Sequence, residues 1–149
     1  MLRRVLICAT MAASTLAAQA QIAPSASEIA AYQGLHMAAQ PGDVAEIRRL
    51  AALGVDIEQH DSGGRTAIHI AAFASQDEVL KALAEVGADM NALDARRYDV
   101  VTIAAVANDP DLMSLAITLG TNAGLTTSPY EGTALIAAAE LGHGEIVRA

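Results

Sequence analysis

Cysteine is nearly missing from this chain. The single one, Cys8, lies close to the amino terminus. One thiol cannot close an intrachain disulfide, and no Cys-x-x-Cys metal or redox motif exists. Aromatic residues are also scarce: no Trp, one Phe (Phe73) and three Tyr in 149 residues. A large aromatic-filled sandwich or an aromatic-lined cofactor pocket is therefore not expected. Positive charge is short as well, with nine Lys+Arg against seventeen Asp+Glu, a formal net charge of −8. That sign disfavours non-specific nucleic-acid binding and attachment to anionic membranes.

The one long apolar run, Val5 to Ala18, spans about 14 residues, short of the roughly 20 that cross a bilayer as a helix. It follows Met1-Leu2-Arg3-Arg4 and ends in Ala18-Gln19-Ala20. A positive start, a short apolar stretch and a small-residue site together read as a secretory signal peptide over residues 1–20, with a mature start at Gln21. Cys8 stands too early in the run to be a lipoprotein cysteine. Cleavage would remove Arg3, Arg4 and Cys8, leaving seven cations against seventeen anions, or −10, and no thiol. Export to a bacterial periplasm is expected in preference to an extracellular location, with no membrane insertion once the signal is gone. Residues 21–27 read as a linker.

What the chain has in quantity is alanine, thirty-four residues, and it recurs with a period. Ala38-Ala39, Ala71-Ala72 and Ala104-Ala105 are 33 residues apart, and Ala138-Ala139 follows 34 later. His36 and His69 keep the same step, as do Gly54, Gly87 and Gly120. Each period divides into a short apolar helix carrying the Ala-Ala pair, a polar turn such as Gln40-Pro41-Gly42-Asp43, and a second helix. In the second helix of the first period Val44, Ile47, Leu50 and Leu53 recur three apart, with Arg48 and Arg49 on the other side. The periodic glycines fall one residue past these second helices, where a left-handed cap favours glycine. Fixed self-similarity of this length is the mark of a repeat architecture.

On these residues the chain resembles the ankyrin repeat family. The second period carries Asp61, Gly64, Thr66, Ile68, His69, Ala71-Ala72 and Gly87-Ala88-Asp89-x-Asn91-Ala92. The fourth carries Gly132-Thr133-Ala134-Leu135 and Leu141-Gly142-His143-Gly144-Glu145-Ile146-Val147. The resemblance spans about residues 28–149, in repeats of approximately 28–60, 61–93, 94–127 and an incomplete 128–149. It implies an all-α solenoid of helix–turn–helix repeats with short hairpin-like finger loops, and for His36 and His69 a hydrogen bond to loop backbone. Departures are Thr66-Ala67 and Thr133-Ala134 in place of Thr-Pro, and Thr102 in place of a third histidine. Residues 27–32 are expected to extend the first helix, capped by Ser25 or Ser27. The fourth repeat stops about one turn into its second helix. It reads as a fragment or truncated product whose Leu135, Leu141 and Ile146 layer meets solvent, and self-association there stays open.

No catalytic constellation appears. Ser62, Ser75 and Ser128 have no histidine–acid partner in a recognisable motif, Gly63-Gly64 is not a phosphate-binding loop, and His60 beside Asp61 falls short of a three- or four-ligand metal set. An enzyme is not expected, nor a cofactor or metal. The resemblance implies a protein partner bound by the finger tips and by the concave positions after each Ala-Ala pair: Gln40, Phe73-Ala74, Val106-Ala107 and Glu140-Leu141. The candidate contacts are Phe73, Arg96, Arg97, Tyr98 and Tyr130, grouped as an aromatic–arginine cluster, with His60 and Arg65 on the first finger. The acidic balance suits a partner with basic patches. The reading is a non-catalytic interaction module. A secreted effector and a metal- or small-molecule-binding protein are the alternatives.

Overall fold

The computed structural model describes residues 23–127 and 132–148. The expected signal segment, Cys8, Gln21, Ser128, Pro129, Tyr130 and Glu131 lie outside the described residues. Those described form α1 (Ala26–Ala31), α2 (Gly34–Ala39), α3 (Val44–Ala52), α4 (Ala67–Phe73), α5 (Asp77–Glu85), α6 (Val100–Ala107), α7 (Pro110–Thr118), α8 (Ala134–Glu140) and α9 (Gly144–Arg148). The pairs α2–α3, α4–α5, α6–α7 and α8–α9 are the helical hairpins. The inner helices α2, α4, α6 and α8 follow one another in contact, and α3 touches α5. This is an all-α solenoid. No described helix is long and apolar enough to cross a membrane.

Small side chains let the inner helices approach closely. Ala38, Ala39, Ala71, Ala72, Ala104, Ala105, Ala137 and Ala138 are all buried. The outer helices contribute one apolar stripe each: Ile47 and Leu50, then Val79, Leu80 and Leu83, then Leu112 and Met113. Their far faces carry pairs one turn apart, Arg49 with Glu46 and Lys81 with Glu78. Each outer helix ends as its glycine suggests. Gly54, Gly87 and Gly120 sit at φ +77°, +93° and +100°, and the N–H of the next residue returns to the helix, Val55 to Leu50, Ala88 to Leu83 and Thr121 to Ala116. That closure satisfies carbonyls the helix leaves open.

Two expectations are corrected. Residues 27–32 do not extend the first inner helix. Ser25 caps α1 in a reciprocal box with Glu28, Tyr32 is extended, and Gly34 at φ +54° restarts the chain as α2. Helix α1 thus stands where the other repeats have a finger. Nor does the whole Leu135, Leu141 and Ile146 layer meet solvent. Leu135 is exposed and Leu141 half-buried, but Ile146 is buried against α8 and α7.

The fingers close on themselves by backbone: Asp61 N–H to Arg65 carbonyl and Asp94 N–H to Tyr98 carbonyl, both 3.0 Å, and Thr127 N–H to Gly132 carbonyl at 2.8 Å. Gly64 and Arg97 hold the same turn position and both are left-handed, at φ +70° and +65°. A Cβ at Gly64 would meet the Ala95 backbone nitrogen at 2.7 Å. A side chain in this region costs about 1–2 kcal/mol where glycine costs little. Arg97→Gly should therefore raise the unfolding free energy by about 1 kcal/mol, and Gly64→Ala should lower it by more, in urea titrations of the two variants.

Candidate functional site

The residue just before each inner-helix cap is set by the 33-residue step: Tyr32, Arg65 and Tyr98. All three are buried. Directly after them, three residues into the inner helices or their caps, come His36, His69 and Thr102, also buried. His36 Nε2 lies 2.8 Å from the Arg65 carbonyl. His69 Nε2 lies 3.0 Å from the Tyr98 carbonyl and 3.1 Å from that of Ala92. A carbonyl only accepts, so both rings donate through Nε2. Thr102 replaces the imidazole with a hydroxyl 3.2 Å from Thr127 Oγ1. The family-implied bond to loop backbone is present, and it runs forward to the following finger. Burial holds the His69 pKa below its ordinary value, against the pull of the carbonyls it donates to and of nearby Asp94 and Asp99.

Arg65 belongs to the same frame. Its side chain is 5% exposed and lies between two carboxylates. Arg65 Nε donates to Asp61 Oδ2 at 2.8 Å, and Nη2 donates to Glu28 Oε1 of α1. The Tyr32 hydroxyl donates to Asp61 Oδ2 at 3.0 Å. Asp61 Oδ1 accepts the N–H groups of Gly63 and Arg65, both at 2.8 Å. Burial alone would raise the Asp61 pKa, but the Arg65 backbone and side chain, with the Tyr32 hydroxyl, hold it low. Glu28 is lowered to about 2, first by the Ser25 hydroxyl and backbone and then by Arg65. These contacts tie α1 to the first finger.

Of the expected binding residues that are described, Arg65 and Arg96 line one crevice, while Phe73 and His60 line other cavities. Tyr98 is 1% exposed and Arg65 4%, so neither ring nor guanidinium offers a surface contact; both are corrected to frame positions. Phe73 is half-buried in a small cavity with Ala23, Pro24, Ile29, Gln40, Ile70 and Ala74, apart from the second finger. Arg96 and Arg97 are exposed at that finger's tip and form no ion pair among the described residues. Arg97 Nη2 makes a long 3.4 Å contact to the Thr126 carbonyl, and Arg96 lines a crevice with Glu28, Ser62, Gly63, Arg65, Asp94 and Ala95. His60 is exposed, its Nδ1 2.8 Å from the Gly64 carbonyl. Of the concave positions, Gln40, Phe73, Ala74, Val106 and Leu141 are half-buried, and Ala107 and Glu140 are exposed.

A family model of ankyrin repeats in three copies matches residues 7–94, more than half of the chain. The chain belongs to the ankyrin repeat family. No curated protein matches it. The ankyrin period continues beyond the matched stretch, through α6 to α9. Sequence reasoning missed Glu28 and Tyr32. The spacing of Tyr32, Arg65 and Tyr98 was the available signal, because all three hold one register position directly before an inner-helix cap.

Arg65→Met leaves Asp61 with no cation and should destabilise the fold by about 3–5 kcal/mol. Acid should act through Glu28. Its folded pKa lies below the ordinary 4.5, so the ionised form contributes stability that is complete above pH ~4.5 and lost as pH falls toward 2. Glu28→Gln should lower the thermal midpoint at neutral pH and flatten its decline across that window, measured by melting at a series of pH values.

Proposed function

We propose that this ankyrin protein is a non-catalytic module that binds a protein partner through its finger tips and concave helix face. Ankyrin repeats are protein–protein interaction modules in general, and a stacked frame limits the ordering cost of binding. One observation supports the second finger in particular. Arg96 and Arg97 are exposed cations without a carboxylate partner among the described residues. Arg97 also keeps its side chain at a left-handed position where the preceding finger has Gly64. Strain of this kind collects at sites of contact, and arginine is prominent in interface energetics.

The acidic balance favours a partner with basic patches, through steering of encounter. The pattern of residues 1–20 supports export. The family match begins at residue 7, inside that segment, and an intact mass of the exported chain tests whether Gln21 is the mature start.

The binding reading is tested by crosslinking capture from the exporting organism. One protein should be retained reproducibly by the wild-type chain and released by the Arg96→Ala, Arg97→Ala double variant. Its melting temperature should stay at or above the wild-type value. Equal capture by both would remove the second finger from the interface.

A further inference from the structure

An open cleft of about 600 Å³ lies between α1, the start of α2 and the base of the first finger. Its walls include Glu28, Tyr32, Gln33, His36, His60 and Asp61. Among the described residues no Lys or Arg lines it; the carboxylates on its wall are those of Glu28 and Asp61, which share the guanidinium of Arg65 behind them. The cleft wall therefore keeps an excess negative charge.

A second feature is independent of that charge. His36 is 5% exposed. Its Nε2 is committed to the Arg65 carbonyl, and its Nδ1 has no partner among the described residues. The next repeat shows what is missing. His69 Nδ1 receives the Thr66 N–H at 3.1 Å and has the Thr66 hydroxyl at 3.1 Å. The position equivalent to Thr66 is Gln33, which makes no cap hydrogen bond. A buried acceptor without a donor is costly, and the residue that carries this one lines the cleft. The exposed His60 adds an acceptor at the cleft wall: its Nδ1 donates to the Gly64 carbonyl, which leaves Nε2 as an acceptor.

We infer that this cleft receives the cationic side chain, arginine or lysine, of a partner polypeptide. The inference deepens the binding role proposed above and rests on it. An arginine or lysine head supplies only hydrogen-bond donors and one positive charge, the complement of the one negative charge left over by Glu28, Asp61 and Arg65 and of the His36 Nδ1 and the His60 Nε2. Among the described residues no three His, Cys, Asp or Glu side chains are grouped to hold a metal ion, which directs the site toward an organic cation.

The test uses small capped peptides on the full chain labelled with nitrogen-15. N-acetyl-Gly-Arg-Gly-amide should shift the His36 imidazole nitrogens and the amides of Glu28 and Ser62 saturably, with a dissociation constant on the order of 1 mM. The citrulline peptide, which keeps the shape and loses the charge, should not. Gln33→Thr places beside His36 Nδ1 the hydroxyl that Thr66 places beside His69 Nδ1, and should weaken binding about tenfold while leaving the fold at least as stable. Ser62→Lys, which brings a resident cation to the rim, should weaken it too. Absence of a saturable shift, an equal response to citrulline, undiminished binding by both variants, or spermidine binding in place of the peptide would overturn the inference. None of these results depends on partner capture, so the finger-tip reading stands or falls separately.

Discussion

Stacked repeats have to satisfy backbone carbonyls in loops that belong to no sheet. Here the fingers close partly on their own backbone, and a side chain planted in α2, α4 and α6 adds a bond to the following finger. His36 meets the Arg65 carbonyl and His69 meets the Tyr98 carbonyl, both within 3.0 Å; Thr102 reaches Thr127 instead. Each bond joins neighbouring repeats in a buried setting, where an unpaired ring N–H or hydroxyl would be costly. The helices pack because their alanines allow close approach, but it is this forward bond that fixes where each finger stands. Anything the fingers bind depends on it.

The first repeat modifies the scheme. It has a helix, α1, in place of a finger, and this helix needs an anchor of its own. Arg65 supplies one by reaching from the first finger to Glu28 while holding Asp61, which in turn accepts the Tyr32 hydroxyl. A buried cation without these carboxylates would be strongly unfavourable. The anchor therefore holds only with α1 and the finger in place together, which makes one unit of them. The same substitution of Gln33 for a threonine cap that loosens this repeat leaves the His36 Nδ1 open.

Much of the frame is legible in the residues. The alanine pairs mark the inner helices, the three-apart apolar residues mark the outer ones, and Gly54, Gly87 and Gly120 mark their ends. These are local signals repeated at one step, so each confirms the next. The break between α1 and α2 was not legible, because the apolar and small residues from Ala26 to Ala39 suit one helix as well as two, and the extended Tyr32 and Gln33 with Gly34 at positive φ separate them. The candidate contacts fared worse. Arg65 and Tyr98 look like surface residues by type and by their place beside a turn. Their burial follows from partners in other repeats, Glu28 lying 37 residues from Arg65 in the chain. Residue type argued for exposure where register, shared with Tyr32, argued for burial, and register prevailed. Arg96 and Arg97 lie outside that register position and stay exposed.

The forward bond has a direct spectroscopic signature. In a long-range proton–nitrogen correlation experiment on the folded chain, the His69 ring should appear as the Nε2–H tautomer with Nδ1 as acceptor. It should keep that form as pH falls through its ordinary value of 6.5, because burial disfavours the charged ring. A His69 ring that titrates near 6.5 while the chain stays folded, or that carries its hydrogen on Nδ1, would contradict the account of how one repeat is locked to the next.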